Sequence, residues 1–237
     1  MREFEKKNLD WPRIRHLYRL GIVASLMVLA SDMLLGFGVA DELLTGIERY
    51  LSIYVGLSDA RIFASAILGL IGIPIEGLCY FSIYRLMANR APRHAHAYRA
   101  GILGYLTFGA CGFHVPCLAV CYVYNRLYAV DPTLALDVGM KYGLYFMAPA
   151  LVLFLIAYFV LAIIQISAFA KGLTPYPKWC WVFSLLFFLV VGIVTALMGN
   201  TALANGISAG WISIANLWMF GGLLALSKQA ERGETTA

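Results

Sequence analysis

The sequence predicts an all-α polytopic bundle that spans a membrane. Three observations predict it. Hydrophobic residues make up 61% of the 237 positions and charged residues only 13%, against about half and about a quarter in a soluble domain. Mean hydropathy is +0.77. Six apolar stretches are each long enough to cross roughly 30 Å of hydrocarbon as a helix. Helices are the expected form because a lipid-exposed backbone must satisfy its own polar groups, and the alternating ten-residue strands of a membrane barrel are not visible. The same composition excludes a disordered chain, a coiled coil and a secreted disulfide scaffold, and argues against an ordinary cytosolic enzyme.

The six stretches cover residues 17–39, 62–87, 100–124, 142–170, 179–199 and 207–227. They leave no room for a separate aqueous domain: 1–16 reads as a basic cytoplasmic segment, 17–228 as the transmembrane domain, and 229–237 as a polar, frayed tail. The first stretch ends in the small-x-small sequence Gly38-Val39-Ala40. It is nevertheless expected to be a retained helix, since it exceeds the roughly 7–15 apolar residues of a signal peptide and contains Asp32. Residues 41–58 place Leu43, Leu44, Ile47, Tyr50, Leu51, Tyr54 and Val55 at helical spacing, opposite Asp41, Glu42, Glu48 and Arg49. That pattern predicts an amphipathic helix on the outer surface, either a passive connector or a lid over an outward-facing cavity.

Orientation follows from the lysines and arginines. Of the 18 in the chain, only Arg49, Arg61, Arg126 and Lys141 fall in the odd-numbered loops. The rest lie in the two termini and the even-numbered loops, which puts both termini in the cytoplasm and the protein in the inner membrane. The net charge of +5 is thereby a matter of topology, not of nucleic-acid binding. Trp179, Trp181 and Trp211, with Tyr122, Tyr124 and Tyr128, fall at the expected interfaces. No half-to-half repeat of the kind found in transporters is evident.

Function is sought in the groups that a bilayer should reject. An ionisable side chain at mid-membrane costs about 2.5–3.5 kcal/mol on insertion scales, and its default explanation is function. Three such residues stand out: Asp32, Glu76 and His114, with Asn216 and Gln165 as neutral companions. At 1.5 Å per residue, Asp32 lies about 10 Å below the outer surface, His114 near the middle, and Glu76 about 13 Å from Arg85. Helices one to three are expected to bring the three toward one cavity. Pro74 precedes Glu76 by two residues and Pro116 follows His114 by two. Each proline frees a carbonyl four residues back, as a packing kink or as a local opening that shapes a polar pocket. Ser65, Gly69, Gly72, Gly101 and Gly104 read as close-packing positions.

Two chemistries use these residues. Cys111, His114, Cys117 and Cys121 share one arc of the third helix, and an i, i+3 or i, i+4 pair among them suits a soft metal. The set rises about 15 Å along the helix, too far for one ion, and buried cysteine is also a small apolar packing residue. No metal or cofactor is therefore assigned, and disulfides are not expected. A carboxylate–histidine site is the other chemistry. A desolvated carboxyl can donate a proton to an apolar substrate or relay one, and a histidine can act as its base or partner. The alternative is a structural hydrogen-bonded cluster joining helices one to three. Nucleophile elbows, zinc-protease motifs and phosphate loops are absent.

Three segments resemble an uncharacterised family of bacterial six-helix membrane proteins: Ser31-Asp32-Met33-Leu34-Leu35-Gly36, then Phe113-His114, and finally Pro177-Lys178-Trp179 followed by Asn205-Gly206. The resemblance implies that architecture and again singles out Asp32 and His114; it implies no reaction. The Asp-Met-Leu-Leu piece also resembles membrane lysoplasmalogenases, from which this chain departs by lacking two further helices.

The sequence thus points to a membrane-embedded enzyme or binding protein for a lipidic or apolar small molecule. Glu76 is expected to be the general acid, His114 its partner or base, and Asp32 an orienting carboxylate, with Asn216 and Trp218 contacting substrate. The expected partners are membrane lipids, that small molecule and a possible second copy of the chain. The alternatives are a proton-coupled transporter or exporter, and a structural or regulatory membrane subunit.

Overall fold

The computed structural model describes residues 9–235. Among these the chain is helical throughout, without strands: α1 (Trp11–Gly36), α2 (Gly46–Ser52), α3 (Asp59–Cys79), α4 (Phe81–Ala88), α5 (Pro92–Phe108), α6 (Val115–Tyr128), α7 (Pro132–Tyr142), α8 (Ala148–Ala170), α9 (Phe188–Met198), α10 (Ala202–Ala209) and α11 (Trp211–Thr235). Local chemistry sets the starts. Asp10, Ser58, Asp131 and Thr201 each accept a hydrogen bond from a backbone N–H of the first turn, which satisfies a donor that the helix itself cannot. Pro12, Pro92 and Pro132 stand where their missing N–H costs nothing.

Four helical units are long and apolar enough to cross a membrane: Trp11–Gly36, Asp59–Ala88, Pro92–Tyr128 and Pro132–Ala170. A fifth is obtained if α10 and α11, which meet at a 65° bend, count as one span. The third and fourth units are much longer than the apolar stretches that predicted them, because α5–α6 and α7–α8 each continue without a turn. The stretch at 179–199 is not one long helix. It opens with 3-10 turns at Lys178–Val182 and Leu185–Phe187 and leaves an apolar helix only over Leu185–Met198. At 1.5 Å per residue that is about 21 Å, short of the hydrocarbon thickness.

Two prolines change helix type without breaking the helix. A π-helical segment at Gly109–His114 ends two residues before Pro116, and another at Gly143–Met147 ends two residues before Pro149. A wider turn lets the helix pass a position that has lost its donor. Pro74 lies inside α3, which runs on to Cys79.

The first loop, 41–58, is less helical than its pattern predicts. Only Gly46–Ser52 forms a helix. Leu51, Tyr54 and Leu57 are buried in a small core with Leu35, Ile62, Leu118 and Cys121, while Leu43, Ile47 and Tyr50 remain exposed. At the other end, 229–235 is not frayed: α11 runs to Thr235, Glu231 pairs with Arg15 at 2.7 Å, and Trp11 Nε1 donates to Glu234 at 2.8 Å. Residues 1–8 of the basic N-terminal segment lie outside the described residues, and α1 already begins at Trp11.

The main core forms where α1 packs along α3, α10 and α11, and α5 along α8. Small residues permit the approach. A Cβ on Gly72 would sit 2.6 Å from Val28, and one on Gly104 would sit 2.6 Å from the Ala157 Cβ. The Ala157 contact cannot be relieved by a rotamer change, so Gly104→Ala should cost about 1–3 kcal/mol through overpacking and lower the thermal unfolding midpoint. Gly221→Ala, which meets nothing within 4 Å, should leave the midpoint unchanged or slightly higher.

Candidate functional site

The seam between α1 and α3 positions the polar residues. Ser31 Oγ donates to the Ser65 carbonyl at 2.7 Å, and Ser65 Oγ donates to the Ser31 carbonyl at 2.9 Å. This reciprocal pair ties the two helices together without a charged group. His114, at the end of the first π-helical segment, meets the pair: its Nε2 lies 3.1 Å from Ser31 Oγ and 3.3 Å from the Ser65 carbonyl. The carbonyl can only accept, and the Ser31 hydroxyl proton is committed to its shorter bond. The hydrogen-bond count therefore assigns the ring proton to Nε2 and leaves Nδ1 as the basic nitrogen. The imidazole fits because residue 69 is glycine: a Cβ there would lie 2.0 Å from Nε2. Gly69 and Ser65 thus do more than allow close packing.

Asp32 follows Ser31 on α1 and faces α11, where Ser213 Oγ donates to Oδ2 at 2.9 Å. The approach depends on Gly210 at the α10–α11 bend, whose Cβ would lie 2.5 Å from Leu29 and 3.6 Å from the Asp32 Cβ. Asp32 and His114 line one cavity of about 160 Å³. Its apolar walls include Val28, Ile73, Phe113, Phe154 and Trp211, and its polar lining adds Tyr105, Cys117 and Ser213. Tyr50 and Ser208 line this cavity and also a larger one of about 420 Å³ beside the first loop, which holds Arg49, Asn200 and Asn205.

Glu76 is fully buried but does not line that cavity. Ser25 Oγ and Tyr105 Oη donate to its two oxygens, each at 2.5 Å. Among the described residues no lysine or arginine pairs with it within 4 Å. Tyr105 joins the two places, since its side chain lines the cavity while its hydroxyl bonds Glu76. Asn216 belongs to the Glu76 layer: Tyr80 Oη donates to its Oδ1 at 2.8 Å.

Trp218 lies elsewhere. Its indole N–H donates to the Val182 carbonyl at 2.9 Å and its ring stacks on Phe187 at 4.6 Å, which pins the 3-10 turns to α11. Gln165 serves the same turns by donating to the Phe183 carbonyl at 2.8 Å. The cysteines do not all converge: Cys111 is exposed, whereas Cys117, which lines the cavity, packs with Cys121 in the small core beneath the first loop. Among the described residues no group of three or more His, Cys, Asp or Glu side chains is arranged to hold a metal ion.

A family model described as a family of unknown function, DUF6796, matches residues 4–230. The chain belongs to this family. The match covers Asp32, Glu76, His114, Tyr105 and Ser213 alike, and agrees with the resemblance to an uncharacterised family seen in the sequence. No curated protein and no solved structure matches this DUF6796 chain.

The seating of His114 is testable as a cycle. Gly69→Ala should cost about 1–3 kcal/mol by colliding with the imidazole. His114→Ala in the same chain removes the collision, so the double variant should be more stable than the sum of the two single losses predicts. Additive thermal unfolding data would contradict this geometry.

Proposed function

We propose that this DUF6796 protein is a multi-pass protein of the inner membrane, with both termini cytoplasmic, that binds and acts on a lipidic or apolar small molecule at an intramembrane carboxylate–histidine site. The observation that carries the reading is the cavity in which Asp32 and His114 meet between aromatic walls. A soluble enzyme can dissolve a polar site in water, whereas polar groups among apolar helices are retained at a cost. Arg13, Arg15, Arg85 and Arg90 lie at the end that holds α1's start and α11's end, which supports the orientation.

The chemistry divides among four side chains. His114 Nδ1 is the base. Asp32, held by Ser213, orients a polar group of the ligand or stabilises positive charge on it. Tyr105 lines the cavity wall, and Glu76 behind it accepts a hydrogen bond from the Tyr105 hydroxyl and fixes that side chain. The small volume limits what enters. Pockets that enclose a whole small molecule measure about 300–1,000 Å³, so a cavity of about 160 Å³ suits a head group or chain end, with the remaining apolar body outside it.

A second reading, a proton-coupled transporter or exporter, is favoured by one observation: Tyr50 and Ser208 are walls of both the inner cavity and the outer one. Flux into proteoliposomes driven by a pH gradient separates the two readings.

The test of the leading reading is native mass spectrometry of the purified protein with analysis of the released lipids, beside Asp32→Asn and His114→Gln. Wild type should retain one apolar species enriched over bulk lipid. Each variant should weaken retention about tenfold or more, since a hydrogen bond to a charged group contributes about 1.5–3 kcal/mol. Only bulk lipid in all three samples would contradict the reading.

A further inference from the structure

We propose that the end of the bundle opposite the outer loop carries a second, separate site, for the phosphodiester of an anionic phospholipid. The place is a cavity of about 460 Å³ between the start of α1 and the end of α4, lined by Asp10, Arg13, Phe81, Tyr84, Arg85 and Asn89. Among the described residues two arginines line it and neither pairs with a carboxylate. Arg85 Nε is buried and lacks a hydrogen bond. Neither Arg13 nor Arg85 pairs with a carboxylate within 4 Å among the described residues. Their neighbours show that pairing is available at this end of the bundle: Arg15 pairs with Glu231 and Arg90 with Glu234. A buried guanidinium nitrogen without an acceptor is costly, and the guanidinium fork matches the oxygens of a phosphate.

Charge and shape narrow the ligand. Asp10 lies in the same cavity, but its carboxylate is engaged in accepting the Arg13 backbone N–H at 3.1 Å. Among the described lining residues, two guanidinium charges against one carboxylate leave a single positive charge. A phosphodiester carries one negative charge, which balances it; a phosphomonoester carries nearly two. Tyr84 and Asn89 add neutral hydrogen-bonding groups, and Phe81 with Leu9 offers apolar surface for the glycerol end and the first acyl carbons. Basic pockets between membrane helices on the cytoplasmic side are suited to such head groups. Neither arginine lines the Asp32–His114 cavity, so this site stands whether or not the reading of that cavity holds.

The experiment presents the full-length protein in detergent with equimolar phosphatidylglycerol and phosphatidylcholine and reads bound lipid by native mass spectrometry. Wild type should prefer phosphatidylglycerol at one site. Arg13→Gln and Arg85→Gln should each reduce that preference about fivefold, the effect of one basic residue at a membrane surface. Arg90→Gln, at the same end but paired with Glu234, should leave it unchanged. If Arg85→Gln does not fold, Arg13→Gln carries the test, because Arg13 is exposed. Equal binding of the two lipids by wild type would overturn the proposal, as would an equal loss in Arg90→Gln, which would mean general surface charge. Thermal stabilisation by millimolar inorganic phosphate without any lipid preference would overturn the lipid assignment in favour of a soluble anion.

Discussion

The architecture of the site depends on how closely α1 can lie against α3. In a membrane the hydrophobic effect does not drive helices together, and association rests on close packing and interhelical hydrogen bonds. Here both act at one seam. Gly72 lets α3 approach the α1 backbone near Ala24 and Val28, and the Ser31–Ser65 pair closes two interhelical bonds, each from a hydroxyl to the other residue's backbone carbonyl. The three ionisable residues are all referred to that seam. His114 bonds the serine pair, Asp32 follows Ser31 and turns toward α11, and Glu76 reaches back across the seam to Ser25. A bulkier seam would separate them.

The second constraint is on backbone donors. Pro116 and Pro149 would each leave a carbonyl exposed in a place where water cannot repair the loss. The widened turns upstream absorb that loss. One of them also delivers His114, because the π-helical segment ends on it. A local backbone solution and the placement of the imidazole are thus the same feature, in keeping with the frequent occurrence of π turns at functional sites. The two candidate openings that the prolines suggested have different outcomes: Pro74 is accommodated within a continuous α3, whereas the turn before Pro116 departs from α-helical geometry.

The sequence revealed what is costly and concealed what is cheap. Asp32, Glu76 and His114 are legible because each interrupts an apolar run at a penalty of kilocalories, and the structure brings Asp32 and His114 to one cavity, with Glu76 behind Tyr105. Tyr105, Ser31, Ser65 and Ser213 carry no such signal in the sequence. A tyrosine or serine in a membrane helix carries little penalty, and it has no spacing pattern that separates a structural role from a functional one. The sequence points Trp218 toward the substrate, whereas in the structure it braces the 3-10 turns; an interfacial tryptophan and a site tryptophan look alike in sequence. The all-helical class followed directly from composition. Helix lengths did not: hydropathy measures the apolar portion, so it missed the polar extensions of α5–α6 and α7–α8 and read the 3-10 turns before α9 as part of a long helix.

What remains most specific to this arrangement is the state of one ring. Nitrogen-15 NMR of the protein labelled at histidine distinguishes the two neutral tautomers of His114, with His114→Gln identifying its signals. The geometry of the serine pair predicts a proton on Nε2 and a lone pair on Nδ1. A neutral ring protonated on Nδ1 would contradict the hydrogen-bond assignment and remove the base on which the proposed chemistry depends.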